Sequence, residues 1–241
     1  MYDKNLITKF INKYYLNKLV PTAQLEATSD GNLFTSFRNN VGNLRGEITL
    51  SDIQLPEGLV GVYETEKLLA MMAILEDSVV IDYKGENSDK SIVSLEMSDN
   101  KGRRIKFNAS PLSLIDYDGK KLLIKSYQAS IDLNNETVND FLKCLAAIPT
   151  TTVNFVQKND KLMAIFGDTG TETDQVEIEL EGTADSDFDS MAFPAKELRE
   201  IFSVNNKAFD TAEFNISSKG ILRILFEDSR IKSEYWLREN N

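Results

Sequence analysis

The 241-residue chain contains no histidine, one cysteine, one tryptophan and five prolines. The missing imidazole removes the commonest general base near neutral pH and the usual nitrogen ligand of zinc. A lone cysteine closes no disulfide within the chain. With apolar neighbours and no histidine to activate it, Cys144 is expected to pack rather than react. No apolar run approaches the roughly 18–20 residues that span a bilayer. The opening MYDKNLITKF lacks the apolar core of a secretion signal. Together these absences point to a reducing cytoplasm, no membrane partner, and three N-x-S/T triplets (Asn108, Asn135, Asn215) that are chance matches. Phosphate loops are missing as well: GDTGTETD has no lysine, and no G-x-G-x-x-G occurs. DSDFDS, with Asp185, Asp187 and Asp189, lacks the glycine and distal glutamate of a calcium loop and reads as a solvated acidic loop. No enzyme activity, cofactor or metal is expected.

What is present is an ordinary globular composition, 41% apolar and 27% charged, with a formal charge of −11. Four segments carry helical periodicity: residues 4–19, 64–76, 135–148 and 194–209. Asn135 is placed to cap the third, Pro149 to stop it, and Pro194 to occupy the first turn of the fourth. Between them run short β-rich stretches. SVVIDYK and KSIVSLEM lie in the first half; TTVNFVQK, DKLMAIFG, DQVEIELEG, TAEFNISS and GILRILFE lie in the second. The helix starts, near 4, 64, 135 and 194, set the first and third 131 apart and the second and fourth 130 apart. Repetition at a fixed offset predicts a tandem duplication. The domains are then 1–108 and 128–241, joined by a connector at 109–127 that holds Pro111, Asp116, Asp118 and Gly119.

A helix, a set of strands, a second helix and its hairpin, all repeated across a connector, resembles the DNA sliding clamps. The nearest type is the two-domain one, that of proliferating cell nuclear antigen and the tailed-bacteriophage clamps. GVYETEKLLAMMAILEDSVVIDYKGENSDKSIVSLEM and MAFPAKELREIFSVNNKAFDTAEFNISSKGILRILFEDSRIKSEYWL carry the likeness best, and residues 20–60 least. The resemblance implies an α+β clamp fold, two similar domains each with two helices packed on antiparallel sheets, assembling as a homotrimeric ring. It implies double-stranded DNA, a DNA polymerase and a clamp loader ATPase as partners. It also implies a viral source in a bacterial host cytoplasm if the chain is phage-encoded.

The charge distribution fits a lined hole. The helical segments hold nine basic residues: Lys4, Lys9, Lys13, Lys18, Lys67, Lys143, Lys196, Arg199 and Lys207. Seven acids accompany them, giving +2 for the helices and leaving −13 for the rest. The nine are the candidate DNA contacts, and Lys9, Lys13, Lys196 and Arg199 are expected on solvated faces. Lysines on the wet side of amphipathic helices would produce the same count without DNA. By the same resemblance, a client-peptide pocket maps to Leu44, Leu114, Ile115, Ile221, Trp236 and Leu237, although Trp236 serves equally well as core of the last strand. Ring closure maps to two edge strands. Alternation puts Arg104 and Lys106 opposite Ile105 and Phe107 in the first, and Glu177 and Glu179 opposite Ile178 and Leu180 in the second. Two further readings stay open: a monomeric clamp-fold accessory held to DNA by charge, and an unrelated α+β protein.

Overall fold

The computed structural model describes residues 1–87, 91–117, 122, 124, 126–167, 174–185, 188, 190–207 and 209–240. The chain forms two compact units. One comprises Met1–Asn40, Gly46–Gly119 and Arg230–Ser233; the other comprises Val41–Arg45, Lys120–Ser229 and Glu234–Asn241.

In chain order the first series of elements is β1 (Tyr2–Asp3), α1 (Lys4–Tyr15), β2 (Ala23–Ala27), β3 (Leu33–Arg38), β4 (Leu44–Leu50), β5 (Gly58–Val62), α2 (Thr65–Met72), β6 (Ser78–Glu86), β7 (Ile92–Asp99) and β8 (Arg104–Asn108). The second series is β9 (Ala129–Ile131), α3 (Asn135–Ala147), β10 (Thr152–Lys158), β11 (Lys161–Phe166), β12 (Val176–Leu180), β13 (Gly182–Ala184), β14 (Met191–Pro194), α4 (Ala195–Asn205), β15 (Thr211–Ser217), β16 (Ile221–Glu227) and β17 (Ile231–Arg238). Strands run in the order β1-β6-β7-β8 and β5-β2-β3-β4 in the first series. In the second they run β9-β15-β16-β17 and β14-β10-β11-β12. The two halves therefore repeat one topology, with β13 as an extra strand on β9.

Local chemistry sets the helix ends. The Asp3 carboxylate accepts from the backbone N–H of Asn5 (2.8 Å) and caps α1. At its far end Leu16, Asn17 and Lys18 all have positive φ, so the helix stops at Tyr15 and a tight turn follows, short of the expected residue 19. The third helix is capped by Asn134, whose side chain accepts from Thr137 N–H at 2.9 Å, and not by Asn135, which is already helical. Pro194 ends β14 and sits before the first turn of α4 rather than within it. The second helix is shorter than the expected 64–76. After Met72 the bonds tighten, Ile74 N–H to Met71 and Leu75 N–H to Met72.

Each helix buries one stripe. Ile7, Phe10, Ile11 and Tyr14 of α1 are buried, as are Leu68 and Met72 of α2. In the second unit Phe141 of α3 is fully buried, its ring centroid 5.1–6.3 Å from those of Phe155, Phe166, Phe202 and Phe214. Cys144 is buried too, and burial pushes its thiol pKa up, away from the reactive thiolate.

The β7–β8 turn is fastened to the end of α2 by a charged cluster. Arg103 bridges Asp99 and Glu76 (2.6 Å each), Lys101 reaches Glu76 (2.8 Å), and Asp99 accepts from the backbone N–H groups of Glu76, Lys101 and Arg103. Burial of the Asp99 carboxyl opposes its charge, but these donors outweigh it and lower its pKa from 3.8 to about 2. A depressed folded-state pKa gives stability that is present above pH 3.8 and is lost as pH falls toward 2. Thermal melts of the wild type should thus fall across that window. Asp99→Asn should melt lower at pH 7 and show a flatter acid limb, whereas superimposable profiles would exclude Asp99 as the source.

Candidate nucleic-acid interface

The nine basic residues of the helical segments do not form one class. Lys18, Lys67, Lys143, Lys196 and Lys207 are exposed, while Lys4 and Lys9 are half-buried. Lys13 departs from expectation: it is 1% exposed, on the core side of α1 next to Tyr14, so it is not on a solvated face. Arg199 is exposed, but its guanidinium donates to the Leu145 carbonyl in the last turn of α3. The Lys4 ammonium does the same to the Leu75 carbonyl beyond α2. In both halves, then, a cation on one helix satisfies a carbonyl at the C-terminal end of its partner, where the helix dipole is negative. That structural role was not visible in the sequence, because it depends on the pairing of α1 with α2 and of α3 with α4.

Three of the exposed lysines meet carboxylates: Lys18–Glu66 at 2.8 Å, Lys67–Glu64 at 3.1 Å and Lys143–Asp140 at 2.8 Å. The last two join residues three positions apart, across the start of α2 and within α3, a spacing that sequence reading can find. Glu66 is 48 positions from Lys18 and was missed. Tyr15, Lys18, Tyr63, Glu64, Glu66 and Lys67 line a cleft of about 410 Å³. Lys196 and Lys207 make no ion pair among the described residues.

Both strands expected at a subunit seam are outer strands of their sheets: β8 beside β7, and β12 beside β11. Arg104, Lys106, Glu177 and Glu179 are exposed, as alternation requires. Two details differ from expectation. Ile105, Phe107 and Leu180 are already buried inside their own units, and only Ile178 is half-exposed. The acidic edge is also not free: Lys158 holds Glu177 at 2.6 Å and Lys161 holds Glu179 at 2.7 Å.

The residues assigned to a client pocket divide by burial. Leu114, in a short 3-10 turn of the connector, is 60% exposed, while Ile115 beside it is buried. In the second unit Ile221 is half-buried and Trp236 is 8% exposed, which favours its packing role. Leu44 and Leu237 are closed inside the core and offer no surface to a peptide. The connector is tied to β3 by the Arg38–Asp116 pair, 2.7 Å from Nε. Asp187 and Asp189 of the acidic loop, and residues 168–173 of GDTGTETD, lie outside the described residues. Among the described residues, no group of three or more acidic, cysteine or histidine side chains could hold a metal ion.

No protein-family model and no curated protein sequence matches the chain. Solved structures do. The proliferating cellular nuclear antigen of Entamoeba histolytica superposes with a TM-score of 0.75 at 12% identity, over 99% of this chain and 96% of that one. The A. fulgidus proliferating cell nuclear antigen, solved with the C-terminal region of FEN-1 bound, superposes with a TM-score of 0.76 at 14% identity, over 100% and 97%. With its topology repeated in both halves and matched nearly end to end, the chain has the α+β fold of the proliferating cell nuclear antigens.

Proposed function

We propose that the protein is a DNA sliding clamp, a processivity factor that encircles duplex DNA as a homotrimer, tethers a DNA polymerase and performs no chemistry of its own. The duplicated unit carries this reading: one helix pair and the same two strand orders, twice, over the length of a known clamp-fold chain. On this reading the helices face DNA. Lys18, Lys67, Lys143, Lys196 and Lys207 meet phosphates, which position a protein without reading bases. Lysine suits sliding because its point charge demands no bidentate geometry. The acidic remainder of the chain repels stray DNA.

Closure of the ring joins β8 of one copy to β12 of the next. An outer strand presents unpaired main-chain groups that invite such pairing, and the basic and acidic faces favour this partner over a like one. Because Lys158 and Lys161 already hold the two glutamates, main-chain bonds carry the seam and charge selects it. A head-to-tail contact closes only at a suitable rotation. Clients approach the connector, where Leu114 is the exposed anchor; that the A. fulgidus neighbour was solved with the C-terminal region of FEN-1 bound supports a client peptide in general. Opening the ring falls to a separate clamp loader ATPase, and the expected setting is the cytoplasm.

Solution mass tests the assembly. The wild type is expected at three times the 27.2 kDa of one chain. Arg104→Glu with Lys106→Glu should shift it toward the monomer on dilution, and Glu177→Lys with Glu179→Lys in the same chain should restore part of the trimer. A wild type that stays monomeric at all concentrations would refute the ring.

A further inference from the structure

We infer that Glu64, Glu66 and Asp140 are restraining residues that compete with DNA phosphates for Lys67, Lys18 and Lys143, and so set how loosely the protein grips the duplex. The inference rests on the DNA-facing reading of the helices given above. Three of the five exposed lysines of the helical segments carry a carboxylate within 3.1 Å, and in every pair both partners remain well exposed. Ion pairs this open to water contribute little to folding, so stability does not account for them. Two of the three repeat one device: an acid three residues ahead of a lysine, spanning the start of α2 in the first unit and within α3 in the second. The third joins the turn after α1 to α2 and lies in the same cleft as the first. A phosphate approaching Lys18 or Lys67 therefore also meets Glu64 and Glu66.

The consequence follows from counterion release. A free lysine that neutralises a phosphate displaces a condensed cation, and each such contact steepens the salt dependence of binding. A lysine already matched by a carboxylate must first leave it, and the carboxylate left behind repels the phosphate. Each contact is weakened without the cation being lost, which is what a protein held by enclosure and moving along DNA requires. The hydrogen bonds with Glu66 and Asp140 raise the pKa of Lys18 and Lys143 while the pairs are formed. Lys196 and Lys207 have no such partner among the described residues, so the restraint falls on part of the set.

The test uses a short fluorescent duplex and the full-length protein alone, titrated by anisotropy across a salt series. Glu64→Gln, Glu66→Gln and Asp140→Asn together should tighten binding about tenfold at low salt and steepen the log–log salt slope by about one to three units, with the melting temperature unchanged. Lys18→Ala, Lys67→Ala and Lys143→Ala are measured in parallel and should weaken binding. If the acid-to-amide variant binds with wild-type affinity and slope while the lysine variant weakens, the restraint is overturned and the DNA-facing reading stands. If neither variant differs from wild type, both are overturned.

Discussion

Replacing Phe141 with alanine is expected to destabilise the second unit by about 3–5 kcal/mol, the largest effect of any single substitution considered. Phe141 is fully buried on α3 and is surrounded by the rings of Phe155, Phe166, Phe202 and Phe214, contributed by two sheets and α4. Truncation removes apolar burial and also leaves a cavity that four rigid rings cannot close. Phe141→Leu should cost much less, because most of the volume is retained. Urea denaturation followed by tyrosine and tryptophan fluorescence would check both variants. An unfolding free energy for Phe141→Ala within about 1 kcal/mol of wild type would place the centre of this core elsewhere.

Reversing charge at Lys18, Lys67, Lys196 and Lys207 together should abolish the stimulation of DNA synthesis on a long primed template, a loss of about tenfold or more if four phosphate contacts become repulsive. These four are chosen because each is exposed. Lys13 and Arg199 make poor probes of the same question: glutamate at Lys13 would bury a charge against Tyr14, and glutamate at Arg199 would abandon the Leu145 carbonyl. At the four exposed sites stability should change by less than about 0.5 kcal/mol each, so an unaltered melting curve beside lost stimulation separates the DNA contact from the fold. Full stimulation with an intact fold would remove these lysines from the DNA face.

The helices and hairpins were legible because their patterns are clean. The stripe of Ile7, Phe10, Ile11 and Tyr14 repeats at helical spacing, and VEIEL in β12 alternates without fault. The fixed offset between helix starts exposed the duplication. Residues 20–60 were opaque for a physical reason. In β3 the polar Thr35 and Ser36 are both buried, which breaks the alternation, and Gly46 in β4 is there to leave room for the Phe37 ring. Helix ends were off by a few residues because capping is decided by single side chains, Asn134 rather than Asn135. The candidate site was legible as a list of cations and not as their environments. Nothing in the periodicity of α1 separates Lys13, turned inward, from Lys9, and the carbonyls that hold Lys4 and Arg199 lie just beyond α2 and in the last turn of α3. Burial also removed Leu44 and Leu237 from the client surface, because hydrophobic type alone does not distinguish a pocket wall from a core.

On the proposed function, enclosure rather than affinity holds this protein on DNA. This is tested most directly by loading labelled protein onto a closed circular duplex, isolating the complex at moderate salt, and then linearising the DNA with a single cut. The protein should stay on the intact circle through salt that breaks charge contacts and run off within minutes of the cut. Retention that is equal on circular and linear DNA, and that falls with salt alone, would contradict enclosure.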